Sequence, residues 1–316
     1  MYKDELSIFI PNSFLSESKD LKIRTYKVGI LGRALAIFQA DNVVIYNDDN
    51  VKNEDGENDG RFIAEVLGYM NTPQYLRKQA YPIKAELKHV GILPPLRTPH
   101  HPVNSQPDVG DYRQGFTVKR NKKGTFVDIG MDKLAFCKEQ LSVKKIFDFK
   151  ITKIAKKEVI VTPDKPDDVY WGYNVISSNK SLKNSLKLIK PDLVVETTRY
   201  GDYIDSIFDE LKHKVDECNS IAILFGGPYS SIQEDVSNPN WDLVKLNTIP
   251  GQGTETVRTE EAVVATLSLF NFIRFVERMV KYNIDFGEAG ASNGNDNYVR
   301  VMTIHKSKGL EFPVVF

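Results

Sequence analysis

The stretch Asn247-Thr-Ile-Pro-Gly-Gln-Gly-Thr-Glu-Thr-Val-Arg-Thr-Glu-Glu-Ala262 lies between a short apolar strand, Leu243 to Leu246, and an apolar helix, Ala262 to Phe272. Glycines at 251 and 253 allow the backbone to turn tightly and to bring its N–H and C=O groups against a flat ligand. The helix that follows opens on Glu260 and Glu261, whose charges suit a helix N-terminus but repel a phosphate. The loop therefore reads as a cradle for something other than a polyphosphate, and a positively charged sulfonium cofactor suits it better than ATP.

Working outward, Leu193 to Thr197 and Ser220 to Phe225 read as strands, with a helix over Tyr203 to Cys218 between them. In an open parallel sheet, ligands bind at the carboxyl ends of the strands. Thr197 and Thr198 follow one such end, and Phe225, Gly226, Gly227 and Pro228 follow the next. Together with Asn247, Thr248, Ile249, Pro250, Gly251, Gly253, Thr254 and Thr259 they are expected to converge on one cofactor pocket. Gly-Gly-Pro is also ordinary turn punctuation, and threonines at a strand end have a purely structural reading.

Earlier in the chain, Leu6 to Ile10, a helix over Leu21 to Gln39, and Asn42 to Tyr46 make a β-α-β unit, which argues for a parallel sheet. Asn47 to Gly60 is almost purely polar and acidic and reads as a surface loop. Helix is expected over Arg61 to Met70 and again over Pro73 to Leu87, before the proline-rich run from Leu93 to Pro102. From Gly110 to Pro163 the pattern changes to about five short β-rich pieces without a long helix. That pattern suggests a small barrel of oligonucleotide-binding type. Lys119, Arg120, Lys122 and Lys123, with further lysines from 144 to 157, lie among Tyr112, Phe116, Phe126, Phe147 and Phe149. Cations that track phosphates and rings that stack on bases are what RNA binding requires, although solvated lysines over core aromatics give the same composition. The α/β pattern then returns, so the barrel is read as an insertion whose boundaries, 97 to 110 and 163 to 168, lie close together.

Three separated motifs, NTIPGQGTETVRTEEA, Leu224-Phe-Gly-Gly-Pro228 and Thr72-Pro-Gln-Tyr-Leu-Arg-Lys78, resemble the archaeal and eukaryotic branch of the SPOUT superfamily of trefoil-knotted RNA methyltransferases. The resemblance runs from the first strand to about residue 272. It implies an α/β fold, a knotted parallel-sheet domain with an inserted OB-like β-barrel, divided as 1–104, 105–167, 168–272 and an appended 273–316. It also implies S-adenosylmethionine as cofactor, bound in a bent form with Ile249 to Glu255 deepest, ribosomal RNA as partner with uridine N3 the favoured acceptor, and a homodimer. The two distant cysteines and the lack of a signal pattern suit the cytoplasm. The string from Gly32 to Asp41 is similar to the first motif of knotted ribose methyltransferases, which implies a phosphate-positioning role for Arg33. Arg77 and Lys78 form a second basic pair that either faces RNA or closes a helix. Glu255 and Arg258 are catalytic candidates: a uridine N3 carries a proton, and Glu255 is placed to take it. His100 and His101 read as boundary residues rather than catalysts.

From about Arg274 onward, and above all in Thr303-Ile-His-Lys-Ser-Lys-Gly-Leu-Glu311, the chain resembles a conserved motif of UvrD-like superfamily 1 helicases of AddA type. Such a segment needs a Gly-x-x-x-x-Gly-Lys-Ser/Thr phosphate loop, and none occurs here. It is read as a fused or misjoined fragment. The alternatives to a methyltransferase are an RNA-binding assembly protein of the same fold, or a truncated helicase. Composition narrows these little: 42 basic residues balance 42 acidic ones, so nucleic-acid affinity has to come from local charge. Two distant cysteines, 137 and 218, form no metal-ligand cluster, and the sequence has no long apolar run, so neither a metal nor a membrane is expected.

Overall fold

The computed structural model describes residues 5–48, 56–102, 104, 106–156, 158–228 and 232–281. Strand β1 (Glu5–Pro11) leads through a single 3-10 turn into α1 (Leu21–Ile37), and β2 (Asn42–Tyr46) lies beside β1. Asp20 starts α1 by accepting a 2.9 Å hydrogen bond from the Ile23 N–H, satisfying one of the orphan donors of a helix N-terminus. Helix α2 (Gly56–Asn71) takes up part of the expected acidic loop, and the stretch 49–55 lies outside the described residues. Helix α3 (Gln74–Ala80) is shorter than the expected 73–87. Pro82 cannot continue it, because its ring removes an N–H and clashes with the preceding turn.

A barrel follows, from β3 (Tyr112–Asn121), β4 (Gly124–Asp128), β5 (Ala135–Cys137), β6 (Ile146–Ile154) and β7 (Val159–Pro163), closed in the order β3-β4-β5-β7-β6. Alternate residues point inward, so Val127, Ile129, Ala135, Cys137, Phe149, Ile151 and Val161 fill it. The five strands match the five short β-rich pieces read from sequence. The chain then returns through β8 (Asn174–Ser177), α4 (Leu182–Ile189), β9 (Leu193–Tyr203), α5 (Ile204–Glu217), β10 (Ser220–Leu224), β11 (Asp242–Asn247) and α6 (Thr259–Lys281). The strand β8 and helix α4 were not read from sequence. β8 is a short edge strand with polar ends, and it carries too little apolar pattern to stand out.

The sheet is parallel throughout, in the order β11-β9-β10-β1-β2-β8. Its central strands are buried on both faces, which is why they read as unbroken apolar runs. Leu6, Ile8, Val195 and Ile223 face a core shared with α1, α2, α5 and α6, while Phe9, Val194 and Leu224 face α4 and Trp241. Each such side chain stabilises the fold by about 1.5–3 kcal/mol relative to exposure.

The two boundary segments of the inserted barrel lie together, with Arg97, Thr98 and Pro99 lining one cavity with Asp168 and Val169. Tyr112 Oη donates to Asp164 Oδ2 at 3.3 Å, and the rings of His100 and Trp171 lie 6.0 Å apart. Trp171 Nε1 donates to Asp148 Oδ1 at 2.8 Å, and Tyr75 of α3 donates to the Gln114 carbonyl at 2.8 Å, tying the barrel to the sheet domain.

Candidate functional site

At the carboxyl ends of β9, β10 and β11 lies a cleft of about 400 Å³, lined by residues 197–200, 226–228, 247–249, 252 and 255–257, with Gln233 and Ala262. Parallel topology creates it: all three strands end on the same edge, and their connecting loops have to leave from there. The β9–β11 ladder is regular up to Glu196 and Lys245, then resumes at Asp202 and Leu246. Thr197 to Gly201 are therefore looped out of the ladder on the β9 side. This bulge aims Thr197, Thr198, Arg199 and Tyr200 into the cleft, the use to which bulges beside active sites are commonly put.

Hydrogen bonds hold the three walls together. Thr197 Oγ1 donates to the Leu224 carbonyl at 2.7 Å, and Tyr46 Oη donates to the Phe225 carbonyl at 2.7 Å. Asn247 Nδ2 donates to the Arg199 carbonyl at 3.1 Å, while Asn247 Oδ1 accepts from the Ile249 N–H at 3.0 Å. Thr259 Oγ1 donates to the Gly226 carbonyl at 3.2 Å, and the hydroxyls of Thr248 and Thr266 share a 2.8 Å bond. The lining is rich in hydroxyl, amide and backbone groups and carries one cation, Arg199, against one carboxylate, Glu255, which fits a polar ligand bearing charges of both signs.

The cleft gathers Thr197, Thr198, Gly226, Gly227, Pro228, Asn247, Thr248, Ile249 and Glu255. It does not gather the rest of the expected set. Phe225 is buried in the core beneath, and Thr259 is buried and turned to the Gly226 carbonyl. Pro250, Gly251, Gly253 and Thr254 lie exposed outside the lining. A Cβ at Gly251 or Gly253 would meet nothing within 4 Å, so close approach does not explain these glycines. At 251 the cause is conformation: φ is 66°, in the left-handed region that glycine enters at little cost. Gly227 is the tight position, because a Cβ there would lie 2.6 Å from Ser13 Oγ.

The acidic residues also fall differently from the expectation. Glu260 is buried and pairs with Lys27 of α1 at 3.5 Å, and Glu261 accepts from the Arg258 N–H at 3.1 Å as a helix-start contact. Of the acids from 255 to 261, only Glu255 lines the cleft. Arg258 is exposed and outside it. Arg33 is in a different place altogether. It donates to the Pro95 and Leu96 carbonyls at 3.1 and 2.6 Å and lines a separate cavity with Arg97 and Thr98. Its distance from the cleft follows from α1, which carries the chain back from the carboxyl end of β1 to the start of β2.

Arg77 likewise does not present itself as an RNA contact. Its Nε donates to the Thr72 carbonyl at 2.9 Å, and its guanidinium lies 4.7 Å from the centre of the Tyr69 ring, closing the end of α2. Lys78 is exposed beside it. On the barrel, Lys119, Arg120, Lys122 and Lys123 are all exposed around the β3–β4 turn, and Lys119 Nζ sits 5.2 Å from the centre of the Phe126 ring. His100 and His101 both donate to the Asn71 carbonyl, at 2.8 and 3.0 Å. Burial holds the His100 ring neutral, its pKa pushed down to about 3.

Sequence reasoning passed over Arg199, Tyr200 and Gln252, all of which line the cleft. The available signal was the polar run Thr197-Thr-Arg-Tyr-Gly201, which interrupts an apolar strand that the structure continues to Tyr203.

The family described as "Putative RNA methyltransferase" matches residues 5–270. The chain belongs to this RNA methyltransferase family. Among its relatives, an uncharacterized protein of Halobacterium salinarum is 30% identical over 281 residues, covering 83% of this chain and 96% of its own. The human 28S rRNA (uridine-N(3))-methyltransferase is 29% identical over 293 residues, covering 83% and 77% respectively. A separate, short similarity of 68% over 47 residues covers 15% of this chain and 3% of an ATP-dependent helicase/nuclease polypeptide of Lachnoclostridium phytofermentans. The helicase-like motif at 303–311 lies outside the described residues. As a member of the RNA methyltransferase family, the chain transfers a methyl group to RNA, and the described fold is a parallel-sheet domain carrying an inserted barrel.

Proposed function

We propose that this RNA methyltransferase uses S-adenosylmethionine to methylate N3 of a uridine in ribosomal RNA. The observation that carries the proposal is the convergence of three strand-end segments on one polar cleft in a chain of this family. Two relatives, from human and Drosophila melanogaster, are named 28S rRNA (uridine-N(3))-methyltransferase, which supports the choice of acceptor. Bound S-adenosylmethionine would supply an electrophilic methyl group on a positively charged sulfur. Thr197, Thr198, Gly226 and Asn247 would hold it through hydroxyl, amide and backbone groups. Glu255, the acid in the lining, is assigned the N3 proton that a uridine has to give up.

The exposed cations at the β3–β4 turn support a role for the barrel in holding the RNA backbone. We place the domain limits at 1–104, 105–167 and 168–272, with 273–316 appended. A trefoil knot in the loops that follow the late strands is part of the proposal, and it rests on the resemblance to the knotted superfamily. A homodimer is part of the proposal and rests on the same resemblance. The cytoplasm is the proposed compartment.

The test is to incubate the purified protein with radiolabelled S-adenosylmethionine and ribosomal RNA that lacks the modification, then digest to nucleosides. Label is expected in 3-methyluridine. Label in another nucleoside overturns the acceptor, and no label overturns the activity.

A further inference from the structure

The bulge in β9 is closed from below by glycine. A Cβ at Gly201 would lie 2.7 Å from Leu246 N and 2.7 Å from the Lys245 carbonyl oxygen, so only a residue without a side chain lets the bulged strand return to the ladder there. What the bulge displays is one aromatic ring. Tyr200 is 76% exposed at the mouth of the cleft.

That ring is held in place. The Arg199 guanidinium lies 4.9 Å from its centre, and Arg199 Nη2 donates to Tyr200 Oη at 2.7 Å. Arg199 is itself fixed, with Nη1 donating to the Glu255 carbonyl at 3.2 Å and its own carbonyl accepting from Asn247 Nδ2 at 3.1 Å. The Tyr200 N–H donates to Thr198 Oγ1 at 3.3 Å. The cation, the ring and the Glu255 backbone thus form one braced lip over the cavity.

An enzyme that modifies a base has to take it out of its stack, and the exposed faces of the base then need a new partner. We propose that Tyr200, braced by Arg199, is the acceptor-base site: the ring stacks on the uridine turned out of the RNA, and the guanidinium meets the adjacent phosphate. This rests on the reading of the cleft as the methyl-donor site. The ligand class is a single unpaired nucleotide, because one exposed ring stacks on one base; stacking itself is tolerant of base identity, and the uridine follows from the proposed function.

The test uses the full chain. Tyr200→Ala is expected to lower kcat/KM for ribosomal RNA about tenfold or more, with Tyr200→Phe close to the parent, while the calorimetric Kd for S-adenosylmethionine stays within about twofold in both. In Tyr200→Trp, the emission in excess of that from Trp171 and Trp241 is expected to be quenched by a uridine 12-mer, and the quench to weaken when Arg199→Ala is added. Wild-type methylation by Tyr200→Ala, or a donor affinity that falls in step with turnover, overturns the proposal. So does the absence of any quench. A parent protein that neither binds S-adenosylmethionine nor labels RNA contradicts the reading of the cleft instead, and the uridine 12-mer quench still decides the acceptor site.

Discussion

Gly201 and Lys245 meet backbone to backbone: a Cβ on Gly201 would lie 2.7 Å from the Lys245 carbonyl oxygen. This close approach re-joins β9 to β11 after the loop-out, so the cleft wall from Thr197 to Tyr200 depends on it. The neighbour is main chain in a sheet and cannot rotate away. Gly201→Ala is expected to cost about 1–3 kcal/mol in urea unfolding, and to weaken S-adenosylmethionine binding beyond the loss from unfolding alone. Unchanged stability and affinity would show that the bulge is soft.

Lys27 is buried with its ammonium between Glu17 and Glu260, at 3.5 Å from the latter, and so ties α1 to the first turn of α6. Removing one member of a buried pair leaves a charge without compensation. Lys27→Met is expected to destabilise by about 3–5 kcal/mol, and Lys27→Met combined with Glu260→Met to recover part of that loss. Denaturant melts of Lys27→Met, Glu260→Met and the double variant check it. A double variant as unstable as the sum of the single changes contradicts the account.

The buried His100 gives the protein an acid-sensitive seam between barrel and sheet. Its folded pKa is about 3, below the unfolded value of about 6.5, so below pH 6.5 the unfolded chain takes up a proton that the native ring refuses. Stability is therefore full above about pH 6.5 and falls as the pH drops towards 3, by a few kcal/mol. His101 is shifted down by burial as well and adds to the same trend. His100→Gln is expected to be less stable at pH 7 yet to lose less on going to pH 5, measured as the change in urea midpoint between the two.

At the β3–β4 turn, Lys122→Glu with Lys123→Glu is expected to weaken RNA binding and to lower the slope of log affinity against log salt by about one for each phosphate no longer paired. Melting temperature should hardly move, because both side chains are exposed. Filter binding across a salt series measures the slope. An unchanged slope would remove the barrel hairpin from the RNA path.

Much of this was legible in the sequence because central parallel strands and barrel strands carry apolar patterns of their own. Thr197, Gly227 and Asn247 could be placed because strand ends in such a sheet share one edge. Other features depended on pairings between distant segments, which no local pattern records. Arg33 is held by the carbonyls of Pro95 and Leu96, more than sixty residues on. Glu260 turns inward because Lys27, far away in sequence, is there to meet it. Gly251 and Gly253 looked like a ligand cradle, whereas Gly251 serves a turn. In the cleft wall the glycine that packs against backbone is Gly201, which sat in the sequence as an unremarked glycine after a tyrosine.

The account stands most directly on whether the cleft at the ends of β9, β10 and β11 takes up the methyl donor. Titration calorimetry of S-adenosylmethionine into the purified protein should give one site per chain. Thr198→Arg, which fills the cleft from a half-buried position in its wall, should abolish the heat while leaving the melting temperature within a few degrees. Uptake that survives Thr198→Arg, or no uptake by the parent protein, would contradict it.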